Sequence, residues 1–381
     1  MTVYGQWAAP ILGQIREKMA WSSEKNKDKI PYTTDAQGSY IDCAAGNDCG
    51  GLGWWTNGFW GGTMWLLYQD TGGESYRRIA QASEDRLSRC FDFFYDLSHD
   101  VGFQFQPTAV ADYRLTGREE SRKRGLHAAS LLAGRFNPAG NFIRAWNNAW
   151  PGADVRGWAI IDCMCNLPLL YWASQETNDP RFRHIAMLHA DTAARCFLRA
   201  DGSVRHIVEF DPETGTYIRS HGGQGYAHGS AWSRGQAWAV YGFALSYRYT
   251  KKQAYLDAAK KVADYVLAHL PESGLVPCDF MQPAEPAWED SCGAAILASG
   301  IWELAEVLPD GGEKERYRQG AWRIADALYR QRTDWTHSCD AIVQNCTAAY
   351  HDEKHHFPMS YADYYFIEAV YKMAGKNYAP W

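Results

Sequence analysis

The sequence predicts an all-α protein, an (α/α)6 barrel of six helix-hairpin repeats with a short β-hairpin insertion. Three observations carry this. A helix–turn–helix pattern recurs along the 381 residues. The helices before the turns are apolar on nearly every face, whereas those after them are amphipathic and charged. A fully apolar helix is buried and an amphipathic one lies outside, so the pattern favours an inner and an outer ring over an open superhelix. The segments ahead of the apolar helices collect Trp, Asn, Asp and His. A ratio of ~150 residues per domain allows two or three domains, but one barrel absorbs the whole chain, and residues 1–381 read as a single domain.

The units follow in order. FWGGTMWLLYQ leads into the turn Thr71-Gly72 and a charged helix with Tyr76 and Ala80. AVADYRL leads into Thr116-Gly117 and a helix containing Gly125. LPLLYWAS ends at Thr177, followed by Phe182 and Ala186. QAWAVYGFALSYRY ends at Thr250, followed by Tyr255 and Ala259. AAILASGIWELA precedes a looser turn, with Tyr317 and Ala321 beyond it. YYFIEAVYKMA opens a partial sixth copy ending near Tyr378. Gly or Asn just past a helix end supplies a left-handed cap, and each unit must stack on neighbours to bury its apolar face. SVRHIVEFD and GTYIRS read as the inserted hairpin.

Composition excludes several classes. Hydrophobic residues make up 46% and charged residues 22%, which excludes disorder and low-complexity chains. No run approaches the ~18 apolar residues of a membrane span. The net charge of −6 argues against a nucleic-acid-coating protein. The ten cysteines lack CxxC spacing, and Cys163 and Cys165 sit in an apolar run. They read as buried free thiols of a reducing compartment. MTVYGQWAAPILGQIREKM has no secretory character, so a cytoplasmic location is expected. No metal-ligand spacing appears, and no metal or organic cofactor is expected. Aromatic residues reach 14%, with 17 Trp and 23 Tyr. Aromatics placed beside polar loop residues form stacking surfaces for flat or ring-shaped ligands, sugars among them.

In a barrel the inner helices run the same way, so their leading segments converge at one mouth. These bring Trp54, Trp55, Asn57 and Trp60; His99, Asp100 and Phe103; Trp146, Asn147, Trp150 and Asp162; His221, Gln224, His228, Trp232, Arg234 and Trp238; Trp288, Glu289 and Asp290; and His351, Lys354, His355, His356 and Asp363. Asp162 lies in the apolar run WAIIDCMCNLPLL, where desolvation raises a carboxyl pKa toward the range of a general acid. The same residue also suits a helix N-cap, with Pro168 nearby. Asp100 alone is a turn residue; beside Asp162 it completes a carboxylate pair of the kind used in glycoside hydrolysis. Arg234, between Trp232 and Trp238, reads equally as a structural ion pair and as a clamp on a carboxylate or sulfate. The histidines around Lys354 read as a solvated loop, or as a lid if the Tyr350–His356 segment folds over the mouth.

The motifs WTNGFWGG, HDVGF, IIDCMCNLPLLYWA, DPETG and GSAWSRGQAWAVYGFAL resemble those of the unsaturated glucuronyl hydrolases, glycoside hydrolase family 88. The resemblance runs from about Trp54 to YADYYFIEAV. It implies an (α/α)6-barrel hydrolase acting on oligosaccharides left by polysaccharide lyases. Such an enzyme removes the 4,5-unsaturated uronic acid of a chondroitin, hyaluronan or heparin fragment by protonating and hydrating its enol-ether double bond. Asp162 matches the acid/base and Asp100 the second carboxylate. Trp55, Trp146, His206, Gln224, Trp232, Arg234 and Trp238 match pocket positions. His228 and Lys354, with Arg234, are added as candidates that would favour sulfated disaccharides. The expected partner is the unsaturated oligosaccharide, with no nucleic acid or membrane, and the chain is expected as a monomer or homodimer. The other readings are an unsaturated rhamnogalacturonyl hydrolase on pectin fragments, a glucoamylase-like inverting enzyme with Glu289 as its acid or base candidate, and a non-catalytic sugar-binding helical barrel.

Overall fold

Turn chemistry and apolar runs together build paired helices. In the computed structural model the described residues are 2–46, 50–93, 97–147, 152–376 and 381. Helix α1 (Val3–Lys25) starts at Thr2, whose hydroxyl accepts from the Gly5 N–H at 3.1 Å. A ribbon of β1 (Pro31–Thr34) and β2 (Tyr40–Asp42) follows. Then come α2 (Gly58–Thr71) and α3 (Glu74–Leu87), joined through Gly72 in the left-handed region. Helices α4 (Val101–Phe105) and α5 (Ala111–Thr116) are one inner helix joined by a π turn, Gln106–Val110. Pro107 lies in that turn, where it withholds an N–H from the ladder. Gly117 then turns the chain into α6 (Glu119–Ala133).

The remaining pairs repeat the scheme. They are α7 (Leu167–Thr177) with α8 (Pro180–Cys196), α9 (Ser233–Thr250) with α10 (Gln253–His269), and α11 (Ser291–Glu306) with α12 (Gly312–Gln331). Asn178 and Lys251 take the left-handed cap in two of them. Lys251 is outside the Gly-or-Asn expectation, and its ammonium lies 5.4 Å from the Tyr247 ring on the preceding turn. The last inner helix is α13 (Ser360–Met373).

The inner helices close a ring: α2 packs on α4, α4 on α7, α7 on α9, α9 on α11, α11 on α13, and α13 back on α2. The outer partner of α13 is α1, so the N-terminal helix completes the sixth unit. Side chains such as Trp65, Trp238, Tyr364 and Tyr365 fill the ring with no more than 1% exposure. Each such burial is worth roughly 1.5–3 kcal/mol. Among the described residues, no helix is long and apolar enough to cross a membrane. The nine described cysteines are free, and Cys163 and Cys165 are buried as the sequence suggests.

The inserted hairpin is present as β6 (Ile207–Phe210) and β7 (Tyr217–His221). A further strand, β5 (Trp158–Ile160), lies on its other side and gives the antiparallel order β5-β6-β7. A two-stranded ribbon, β3 (Phe136–Asn137) with β4 (Phe142–Ile143), precedes it in the chain. The register pairs Ile160 with Ile207 and Ile207 with His221. This small sheet stands at the mouth and aims Trp158, His206 and His221 at one cavity.

Candidate active site

The cavity at the mouth has a volume of about 740 Å³. Asp100, Asp162, Trp55, Trp146, His206, Gln224, Trp232 and Arg234 all line it. Three other sequence candidates do not. Trp238 has no exposed surface and lies beneath the floor, its ring 4.8 Å from Phe103 and 6.4 Å from Trp55. His228 is exposed beyond His221, at a ring distance of 6.2 Å. Lys354 holds its ammonium 4.7 Å from the Phe357 ring, off the cavity. Trp150 lies outside the described residues.

Asp162 is delivered by strand β5. Extended backbone ends at Ile160, and a tight turn, Ile161–Cys165, swings the carboxyl toward the mouth before α7 begins. Asp162 therefore sits inside the turn and is not the cap of α7, a place taken by Asn166. The side chain keeps 16% exposure, while its Oδ1 is buried without a hydrogen-bond partner. Desolvation, and next the negative charge of Asp100, push its pKa up to about 8; Arg234 and the Trp238 indole oppose them. An acid with that pKa carries its proton at neutral pH.

Asp100 stands at the start of α4. Ser98 Oγ donates to its Oδ2 at 2.9 Å, and His99 Nε2 lies 3.4 Å from Oδ1. Asn166 links the Asp100 carboxylate to the backbone of Asp162. Its amide nitrogen is 3.4 Å from Asp100 Oδ1 and 3.4 Å from the Asp162 carbonyl, and its oxygen accepts from Phe103 N–H at 2.7 Å. At Gly102 an added Cβ would lie 2.5 Å from that amide oxygen, so glycine is required for this approach.

His206 lies across from Asp162, with Nε2 3.8 Å from Oδ1. Burial lowers its pKa to about 3, so the ring is neutral. The Gln224 backbone N–H donates to Nδ1 at 3.1 Å. Nδ1 also lies 3.4 Å from Gly222 O, but the Gln224 contact is the shorter of the two, and because a backbone amide only donates it favours the proton on Nε2, the nitrogen facing Asp162. Gln224 also fastens the 348–350 segment through its side chain, which donates to Ala348 O at 2.7 Å.

Arg234 forms the structural ion pair of its first sequence reading, at a place on the cavity wall. It lines the cavity, and its Nη1 donates to Asp290 Oδ2 at 2.7 Å and to Thr347 O at 2.8 Å. Its guanidinium stacks 4.6 Å from the Trp232 ring. Glu289 is engaged by Arg332 through two bonds of 2.6 and 2.7 Å and does not line the cavity. Asp363 serves structure, accepting the N–H groups of Ile342 and Val343 and the Tyr40 hydroxyl. The Tyr350–His356 segment does reach the rim. His355 stacks on Trp288 at 4.0 Å, His356 accepts the Glu289 N–H, and His351 and Asp352 line the cavity.

Sequence reasoning gave no role to several wall residues. Trp54 and Trp158, like Trp232, which the sequence had assigned to the pocket, each present a buried indole N–H without a partner, three donors ready for ligand oxygens. The GWW pair marked Trp54, and its neighbour Trp55 took the assignment. Trp158 sits in a three-residue strand too short to register as one. Tyr32 comes from β1, far from any inner-helix segment. Asp352 was hidden among histidines. Among the described residues no group of His, Cys, Asp and Glu could hold a metal ion.

Comparison with known proteins agrees with this geometry. The model for Glycosyl Hydrolase Family 88 matches residues 22–380. The chain is 37% identical over 361 residues to the unsaturated glucuronyl hydrolase of Bacillus sp. strain GL1, covering 92% of each chain. It is 34% identical over 368 residues to the unsaturated chondroitin disaccharide hydrolase of Streptococcus pyogenes serotype M1, covering 94% of this chain and 88% of that one. The crystal structure of the Bacillus sp. GL1 unsaturated glucuronyl hydrolase, described as responsible for the degradation of glycosaminoglycan, superposes with a TM-score of 0.89 at 34% identity, covering 97% of this chain and 96% of that one. The barrel, the mouth cavity and these matches lead to one conclusion: the chain is a glycoside hydrolase and belongs to glycosyl hydrolase family 88.

Proposed function

We propose that the protein removes the 4,5-unsaturated uronic acid from the non-reducing end of lyase-generated glycosaminoglycan oligosaccharides. The observation that carries this reading is a carboxyl with a pKa of about 8, held beside a second carboxylate in an aromatic-walled cavity. Protonating carbon requires an acid that still holds its proton near neutral pH. Asp162 gives its proton to C4 of the C4=C5 enol ether. The positive charge that develops at C5 and the ring oxygen is stabilised by Asp100. Water adds at C5 and returns a proton to Asp162. The resulting hemiketal opens to a C5 ketone, and C1 then releases the next sugar as an alcohol. Trp55 and Trp146 offer flat faces to the planar part of the ring, and His206, backed by Trp232, offers its Nε2–H. Residues 1–381 act as a single catalytic domain, as monomer or homodimer. The free thiols support a cytoplasmic location.

The rim favours unsulfated substrates over the sulfated ones that Arg234, His228 and Lys354 suggested. His228 and Lys354 lie off the cavity, Arg234 is already paired with Asp290, and Asp352 adds a carboxylate to the wall. A sulfate brought near Asp352 meets like charge.

The test follows ultraviolet absorbance of the conjugated double bond on unsaturated chondroitin disaccharides, sulfated and unsulfated. Wild type consumes the chromophore, fastest on the unsulfated sugar, and D352N narrows the difference. No loss of absorbance on any glycosaminoglycan fragment overturns the reading. Turnover of unsaturated rhamnogalacturonan fragments alone moves the assignment to pectin.

A further inference from the structure

Arg135 follows α6 and stands behind the wall that carries Asp100. Its guanidinium reaches two segments of the mouth. Nε donates to Arg144 O at 2.9 Å, and Nη2 donates to Ala145 O at 2.8 Å. Nη1 donates to Asn147 Oδ1 at 2.5 Å and to Leu97 O at 3.4 Å. Leu97 is three residues before Asp100, and residues 144–147 carry Trp146. The crossing is reinforced from both sides. Asn147 Nδ2 donates to Leu97 O at 2.6 Å, and the His99 N–H donates to Ala145 O at 3.1 Å.

Among the described residues, the four acceptors of this guanidinium are all neutral oxygens. A neutral side chain would bind carbonyls at lower desolvation cost, so the positive charge needs a reason. Burial, and next the neighbouring Arg144, lower its pKa to about 10, whereas Asp100 raises it. The guanidinium thus keeps its charge at neutral pH, and the carboxylate that attracts it is Asp100.

We propose that Arg135 is a positioning residue for the reaction, locking the Asp100 segment to the Trp146 segment so that Asp100 stays where its charge acts on Asp162. The inference rests on the reading of Asp162 as the acid. The groups facing Asp162 are Asp100 with His99 from the start of α4, His206 from the sheet, Arg234 and Trp238 from α9, and Cys163 and Cys165 from its own turn. Those facing Arg135 are Arg144, Asp100, His99 and Cys163. Of the groups around Asp162, Asp100 is the anion that holds its proton on. If the clamp slackens and Asp100 retreats, Asp162 ionises at lower pH.

The experiment compares wild type, R135K and R135M on the unsaturated disaccharide across pH, with D162N beside them. Lysine keeps the charge and loses the planar fork. A misplacement of ~1 Å costs on the order of 10²-fold in rate, so kcat is expected to fall about 10- to 100-fold in R135K, with KM changed far less. The alkaline limb of the kcat/KM profile moves to lower pH in both variants. Thermal unfolding separates this from loss of fold; where R135M does not fold, R135K decides. Wild-type kcat in R135K, or a lowered kcat with an unmoved alkaline limb, overturns the positioning role while D162N is inactive. Activity retained in D162N overturns the reading of the acid itself, and the role of Arg135 with it.

Discussion

Replacing Asp162 by Asn should abolish turnover and at the same time make the protein more stable at alkaline pH. Asp162 has a pKa of about 8 in the folded chain against a reference of 3.8, because burial and Asp100 disfavour its charge. Below pH ~4 both the folded and unfolded states hold the proton, and the fold bears no penalty. As pH rises the unfolded chain releases its proton while the folded chain retains it, so stability falls until the folded group ionises near pH 8. Each pH unit in that window is worth about 1.4 kcal/mol, which gives about 6 kcal/mol in full. The 16% exposure of the side chain lets water screen part of this, so roughly 2–4 kcal/mol is the expected gain. Asn has the same shape and no charge to bury. Urea unfolding of wild type and D162N at pH 4.5, 6 and 8 measures the difference, with midpoints converging at low pH and D162N ahead at pH 8. Turnover falls by ~10²–10⁴-fold, the usual contribution of a general acid. Parallel stability curves for the two proteins between pH 5 and 8 would refute the argument, since Asp162 would then carry no raised pKa.

Removing the charge of Asp100 with D100N should lower kcat and move the alkaline limb to lower pH, because that charge is the second cause holding Asp162 protonated; a pH–rate profile checks it. In G223A the new Cβ would lie 2.0 Å from His206 Nδ1 at a backbone φ of +59°. The left-handed conformation alone costs a side chain about 1–2 kcal/mol, and the displaced ring should lower kcat/KM as well as the unfolding midpoint. Glu84 is fully buried between α3 and α6, and burial raises its pKa to about 7. Its raised pKa makes stability fall as pH climbs from 4.5 toward 7, by about 3 kcal/mol at most. E84Q should flatten that part of the curve in urea titrations without moving the pH profile of activity.

The barrel was legible because its signal is chemical at every turn. Thr-Gly at Thr71 and Thr116 fixes helix ends, and apolar runs such as QAWAVYGFALSYRY leave no polar face for solvent. The closing contact was not, since α1 pairs with α13 from opposite ends of the chain and no local pattern encodes it. The same divide runs through the site. Asp162 stood out as one carboxylate in an apolar run, and the inner-helix logic gathered Trp55, Gln224 and Arg234. Strand β5 is three residues long, too short for alternation to show, so Trp158 went unassigned. Lys354 and His228 were chosen for charge, but side-chain direction decides such cases. Lys354 turns to Phe357, and its neighbour Asp352 lines the cavity instead.

The two ends of the barrel treat buried carboxylates in opposite ways, and the contrast explains why one of them can do chemistry. At the end away from the mouth, Glu303 is held by Lys372 at 3.1 Å and Arg248 at 2.5 Å. Despite its burial its pKa is lowered, because those cations outweigh desolvation. Glu368 beside it accepts from Tyr241 and from the Trp381 indole at 2.9 and 2.7 Å. Glu303 is therefore ionised with no proton to give, and the contacts of the two carboxylates brace α9, α11 and α13. At the mouth the same apolar ring surrounds Asp162, but the nearest base is a histidine that burial keeps neutral. Gln224 favours the tautomer that meets Asp162 with an uncharged N–H. A protonated His206 would undo the raised pKa, just as Lys372 and Arg248 do for Glu303. Arg234 faces the same cavity but is bonded to Asp290, so the reactivity of Asp162 depends as much on that cation being engaged elsewhere as on the carboxylate placed beside it.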